Sequence, residues 1–272
     1  MSLLAVLFGM IVGFSLGLTG GGGAIFAVPL LVYGLAIAPS EAVGISLASV
    51  GAMSAVGLLG RWRSGHVELK TGLIFAGAGM LGTPAGSWLA GQIPERVLLL
   101  LFGGLMMVVA VRMWTGARSA SALLAGSPEE EGTGPTCRRD PAGILRLTSS
   151  CAILLAVVGL VTGVLAGLFG VGGGFVIVPA LIVFSGMSIH RAVGTSLLVI
   201  ALISIAGVAS HLLMGRSITM STTLLFVAGG VVGMLLGILG SHRLSGPALQ
   251  RGFSVAIVAV ALFVIIKNVT HF

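Results

Sequence analysis

Gly20, Gly21, Gly22 and Gly23 stand together inside an apolar stretch, and Gly170, Gly172, Gly173 and Gly174 stand together inside another; Pro29 and Pro179 follow each cluster by six residues. Each glycine costs a helix interior about 1 kcal/mol relative to alanine, so runs of them favour unwound chain. A helix that restarts near Ala24 or Phe175 presents amide N–H groups without intrahelical acceptors. At bilayer depth such groups must find partners, and an anion at a helix N-terminus is an effective one through hydrogen bonds and the helix dipole. Hydroxyls accompany them: Ala42-Val43-Gly44-Ile45-Ser46-Leu47 is matched by Ala192-Val193-Gly194-Thr195-Ser196-Leu197, with Ser49 close by. Serine and threonine donate to an oxyanion without adding repulsive charge. The competing explanations are close helix packing for the glycines and local capping for the hydroxyls.

These groups sit on elements that occur twice. Gly13 to Ser46 reappears without a gap as Gly163 to Ser196, a constant offset of 150. Interruptions doubled in this way are the sequence mark of a transport site between two repeats. The expected substrate-binding set is therefore Gly20, Gly21, Gly22, Gly23, Ser46, Gly170, Gly172, Gly173, Gly174, Thr195 and Ser196. Spacings such as Gly79, Gly82 and Gly86, matched by Gly230, Gly233 and Gly237, read instead as helix packing faces.

Of the 272 residues 57% are hydrophobic and 8% charged, with mean hydropathy +1.18, where an average soluble domain carries about 25% charged residues. Charge-free runs such as Leu3 to Leu18 and Val97 to Val111 point to bilayer solvent. No basic residue precedes Leu3, which argues against a cleaved secretory signal. The net charge of +7 is scattered singly over loops and lacks aromatic interleaving, so no nucleic-acid partner is expected. Cys137 and Cys151 suggest neither a disulfide nor a metal site. All seven acids lie at or near predicted loops, leaving no obvious midplane carboxylate for a proton or sodium ion. His66, His190 and His211, near helix ends, are side chains of a type that titrates near neutral pH. No Ser/His, Asp/Asp or metal-ligand constellation lies within the apolar segments, so no enzyme, metal or cofactor is expected. Glu41, 18 residues beyond Gly23, imitates the acid of a dinucleotide site, but the repeat puts Arg191 at the matching position.

Apolar segments run over about 3–33, 42–60, 71–91, 96–114, 147–184, 192–213, 219–240 and 248–267. The expected fold is thus all-α and polytopic, with about eight transmembrane helices in two repeats of four. The first helix of each repeat is broken or re-entrant at its glycines. The expected divisions are 1–115 for the first repeat, 116–146 for a polar cytoplasmic linker and 147–272 for the second repeat. With both termini cytoplasmic, that face receives ten of the 14 basic residues, and Arg96, Arg191, Arg243 and Arg251 fall on the other. An even number of crossings per repeat implies halves related by an axis along the membrane normal.

The segments GLTGGGGAIFAVPLL and GLFGVGGGFVIVPAL, with the A-V-G-x-S-L tract, resemble the sulfite exporter family TauE/SafE of bacterial membrane permeases. A weaker similarity is Ile93-Pro94-Glu95-Arg96; the second half departs from it at Leu244-Ser245-Gly246-Pro247. The resemblance implies a bacterial inner-membrane permease for sulfite, sulfonates or related sulfur-containing or organic anions, working by alternating access and generally as an exporter. With the cell interior about 100 mV negative, each exported negative charge gains about 2.3 kcal/mol, enough to drive efflux without a coupled ion. The expected partners are a small anion and the lipid bilayer, with homo-oligomerisation left open. The alternatives are a non-transporting membrane scaffold or assembly factor and an anion exchanger or importer of the same fold.

Overall fold

The computed structural model describes residues 2–62, 65, 67–124, 149–241 and 246–270. Arg63, His66, Cys137, Arg138, Arg139, Arg146, Arg243 and all of the expected linker beyond Leu124 lie outside the described residues. Among the described residues the fold is all-α: α1 (Ser2–Thr19), α2 (Gly22–Gly34), α3 (Pro39–Trp62), α4 (Leu69–Gln92), α5 (Glu95–Leu124), α6 (Ser149–Phe169), α7 (Gly174–Ser185), α8 (Ile189–Leu213), α9 (Met220–Ser241) and α10 (Gly246–Thr270). Helix α5 runs through Leu124, into the stretch read as linker. Six helices, α1, α3, α4, α6, α8 and α9, are long and apolar enough to cross a membrane. Their outward faces carry Leu81, Leu160, Ile205 and Leu239, all exposed, with Trp62 and Trp88 near helix ends as interfacial anchors. This is a polytopic membrane fold. Cys151 is disulfide-bonded, contrary to the expectation for the cysteines.

The chain forms two compact units, Met1–Gln92 with Pro135–Leu239, and Ile93–Gly134 with Gly240–Phe272. In the smaller unit α5 packs on α10, where Gly103 lies against Ile265. In the larger unit the two sequence halves interleave. Helix α1 lies on α9: Gly9, Gly13 and Gly17 meet the backbone at Phe226, Gly230 and Met234, while Gly229, Gly233 and Gly237 meet it at Val6, Met10 and Phe14. Helix α4 lies on α6 in the same way, with Gly82 and Gly86 against Leu160 and Val164, and Gly159, Gly163 and Gly167 against Phe75, Gly79 and Thr83. A methyl group at most of these glycines would overlap a backbone carbonyl, so the spaced glycines are packing surfaces that let two membrane helices touch main chain to main chain.

The same contacts give helix directions. Residue numbers rise together along α1 and α9, along α4 and α6, and along α3 and α9, where Met53 faces Gly230 and Gly57 faces Met234. They run oppositely along α3 and α8, where Gly44 faces His211, Gly51 faces Ser204 and Gly57 faces Leu197; α8 and α4 run together, Gly72 facing Leu198 and Gly79 facing Ile203. Hence α1 and α3 point one way, and their counterparts α6 and α8 point the other. The halves are inverted, not parallel as the even crossing number implied. The reason is local: after its glycines the chain turns back. Gly23 packs on Ser15 and Leu16 and Gly34 on the Phe8 ring, so α2 returns along α1, and Gly173 likewise lies against Thr162 of α6. Each break is a hairpin, which adds a return arm to each half and changes its parity.

Candidate functional site

The two hairpin tips meet. Gly21 and Gly174 are in backbone contact, such that a methyl on Gly21 would lie 2.5 Å from the Gly174 oxygen and one on Gly174 would lie 2.6 Å from the Gly21 Cα. Gly20 and Gly170 hold matched left-handed conformations, φ 73° and 72°, in which a side chain would be strained. Gly20 packs on Val193 of α8 and Gly170 on Val43 of α3. Each break therefore docks on the A-V-G tract of the opposite half. The contacts are exchanged by the same offset of 150, which places a local pseudo-twofold relation between the halves.

Local chemistry differs between the breaks. At the first, the Thr19 hydroxyl sits within hydrogen-bond reach of the Ser15 carbonyl (2.8 Å) and accepts from the Gly23 amide (3.2 Å), and the Ser196 hydroxyl donates to the Gly20 carbonyl at 2.6 Å. At the second, Phe169 occupies the place of Thr19 and no side chain caps α7. The amides of Val176 and Ile177 share the Gly173 carbonyl, which leaves those of Gly174 and Phe175 ahead of the first intrahelical bond. Ser46, the counterpart of Ser196, is fully buried and its hydroxyl has no hydrogen-bond partner. Thr195 faces away from the breaks: its hydroxyl accepts the Glu68 amide at 3.0 Å. The structure thus brings Gly20, Gly21, Gly170, Gly174 and Ser196 into one knot and puts Thr195 at a helix end.

That end also holds Arg191, 3.6 Å from Glu68, together with the C-terminal turn of α3 and the start of α4. The opposite end repeats the construction with altered chemistry: Glu41, the counterpart of Arg191, accepts from the Thr219 amide at 3.2 Å and from its hydroxyl, and Arg216 donates to the Ser87 carbonyl at 3.2 Å. Arg191 and Arg216 therefore exchange faces relative to the expected charge sorting.

Ser54 and Ser204, outside the expected set, are buried residues whose hydroxyls have no partner. Ser204 Oγ lies 3.7 Å from where a methyl on Gly172 would stand. The signal was present, since 204 − 54 is again 150, but the pair lies downstream of the gapless segment. Among the described residues no group of three His, Cys, Asp or Glu side chains could hold a metal ion.

Inverted halves, paired broken helices and buried free hydroxyls at their junction are the parts of a secondary transporter. Residues 5–264 match the family described as sulfite exporter TauE/SafE. The chain belongs to this family. It is 39% identical to a probable membrane transporter protein of Xylella fastidiosa (strain Temecula1 / ATCC 700964), over 96% of this chain and 93% of that one. It is 29% identical to the probable membrane transporter protein YdhB of Bacillus subtilis (strain 168), over 73% of this chain and 74% of that one. No solved structure matches it. This TauE/SafE chain is a multi-pass membrane transporter.

Proposed function

We propose that the chain is an inner-membrane permease, not an enzyme, that exports small anions such as sulfite or sulfonates by alternating access around the glycine knot. The observation that carries this reading is the contact of Gly21 with Gly174, next to first-turn amides of α7, with the free hydroxyl of Ser204 beside Gly172 and the free hydroxyl of Ser46 as the counterpart of Ser196. Those groups supply hydrogen-bond donors and the positive end of a helix, the complement of an oxyanion. Their neutrality suits an anion that must leave again, because a fully paired charge at depth would be held too tightly. Of the expected set, Gly172, Gly173, Gly174 and Ser46 are the ligand-facing group in this reading, whereas Gly20, Gly21, Gly170 and Ser196 hold the knot together. Gly22 and Gly23 begin the returning arm α2, with Gly23 seated against Ser15 and Leu16.

The direct test is flux of labelled sulfite and of labelled methanesulfonate in proteoliposomes at imposed potentials. The expected result is saturable flux of both anions that protein-free liposomes lack, and the imposed potentials report the net charge that moves with each. Absence of flux for both anions, with folded protein in the bilayer, overturns the reading.

A further inference from the structure

Among the described residues, every buried side-chain nitrogen or oxygen without a hydrogen-bond partner belongs to α3 or α8: the hydroxyls of Ser46, Ser49, Ser54 and Ser204, Nε of Arg61, and both ring nitrogens of His211. Buried polar atoms left unpaired are costly, and six residues confined to two antiparallel helices are not scattered packing defects. They form a file. His211 lies opposite Gly44, and the 17 positions from Gly44 to Arg61 (61 − 44) span about 26 Å at about 1.5 Å per residue, close to the hydrocarbon thickness of about 30 Å. The offset of 150 pairs Ser54 with Ser204 and Arg61 with His211, and inversion sends the two nitrogen-bearing residues to opposite ends.

We propose that the α3–α8 pair lines an anion path bounded at one end by the permanent cation Arg61 and at the other by His211, a proton-binding site through which an anion held there brings a proton with it. This rests on the permease reading above. A guanidinium is charged at any working pH, so the Arg61 end attracts anions without titration. An imidazole becomes a cation only by taking a proton from water, and a lone buried imidazolium is costly until an anion neutralises it. Anion and proton therefore favour each other's binding, and the proton returns to water when the anion leaves. The charged groups acting on the ring are Arg216, from the turn after α8, and Glu41, from α3. The Ser217 backbone lies near the ring but short of hydrogen-bond geometry. Glu41 is itself engaged by Thr219, and Arg216 by Ser87, so neither occupies the imidazole. A methyl on Gly44 would lie 2.5 Å from Nε2, so the repeated A-V-G tract leaves room for this ring.

The test uses full-length protein in proteoliposomes with labelled methanesulfonate, whose charge does not change across the working range, so that any pH response belongs to the protein. Wild-type flux should fall by up to about tenfold per pH unit as His211 loses its proton, and a trapped pH-sensitive dye should report proton movement with the anion. His211→Arg should keep flux, make it independent of pH and abolish the proton signal; Arg61→His should make the pH dependence steeper. His211→Gln, a milder change, serves if the arginine variant does not fold in detergent, and it should give low, flat flux without proton movement. A wild-type profile retained in the position-211 variants, or a flat wild-type profile with intact flux, overturns the proton site and leaves the permease standing. Absence of wild-type flux for both methanesulfonate and sulfite overturns the permease reading and this one with it.

Discussion

The first glycine break is tied down and the second is open. Thr19 occupies the amide of Gly23 and Ser196 holds the carbonyl of Gly20, whereas Phe169 and an unpartnered Ser46 stand at the matching places of the second. Two copies of one sequence unit have diverged in their hydrogen bonding, while their tip glycines keep matched φ angles of 73° and 72°. The difference teaches that a repeated motif need not mean a repeated role. The turn at Gly20 and Gly170 is shared, the backbone beyond it is not, since Gly172 and Gly173 hold positive φ and Gly22 and Gly23 do not, and the first break's side-chain ties are missing from the second.

The most severe way to break the comparison is through the shape that the breaks share. Gly20→Val and Gly170→Val each force a β-branched residue into the left-handed region and into the facing Val193 or Val43. Strain of about 1–2 kcal/mol and overpacking of about 1–3 kcal/mol add at each position, so both variants should lose most folded protein in detergent, to a similar extent. Monodisperse, thermally stable protein from either would show that the knot is dispensable. At the next position the copies should part. A methyl on Gly22 meets only Thr19 Oγ1, at 3.2 Å and without a positive φ, whereas Gly172 holds φ 64° beside Ser204. Gly172→Ala should therefore cost about 1–2 kcal/mol more than Gly22→Ala in thermal unfolding, and it alone should impair flux. Equal effects would dissolve the distinction between a tied and an open break.

A finer separation comes from the serines. Ser196→Ala removes a made hydrogen bond and should destabilise by about 0.5–1.5 kcal/mol. Ser46→Ala and Ser204→Ala delete buried hydroxyls that have no partner, so stability should hold or rise. If those hydroxyls meet the anion, the same two variants should raise KM by about 2- to 10-fold, one neutral hydrogen bond's worth. Better stability with weaker binding is a pattern that a packing role for Ser46 and Ser204 does not produce. Unchanged KM in both would move the ligand away from the second break.

How far this was readable in the sequence follows from what each feature depends on. The helical membrane class, the two breaks and the packing glycines were legible because composition and spacing fix them locally. The inversion was not, because a glycine run permits a kink and a hairpin alike, and the choice rests on Gly23 seating against Ser15 and Gly34 against Phe8. The parity of each half changed with that choice. It also carried Arg191 to the end that holds Glu68, and Arg216 to the end that holds Glu41. Ser54, Ser204, Arg61 and His211 kept the telling offset, but identity fades beyond Ser196, and only burial distinguishes their unpartnered atoms from ordinary helix hydroxyls and end charges. Thr195 shows the converse, a motif residue whose neighbour Ser196 reaches the knot while its own hydroxyl turns to the helix end.

The smallest expected effects lie at the two helix ends, where counterparts carry opposite charge. Arg191 is 44% exposed and its partner Glu68 19%, so this ion pair is worth at most about 1 kcal/mol. Glu68 also accepts from the Thr71 hydroxyl at 3.1 Å, a bond that glutamine can keep. At the other end Glu41 accepts from both the amide and the hydroxyl of Thr219, and its charge serves the α9 N-terminus as well. In an alternating-access unit each contact favours closure of its own end, so weakening one should shift the population towards the state open there. A loss of about 1 kcal/mol corresponds to about a fivefold shift. Glu68→Gln should therefore speed labelling by an impermeant thiol reagent of a cysteine placed at Lys70 by up to about fivefold. Glu41→Gln should leave that site unchanged or slow its labelling, while opening a cysteine placed at Ser217. Opposite signs at the two ends follow from inverted halves. Equal acceleration at both sites by either variant would mean that the ends loosen together, and would count against the two contacts acting as separate latches of one inverted unit.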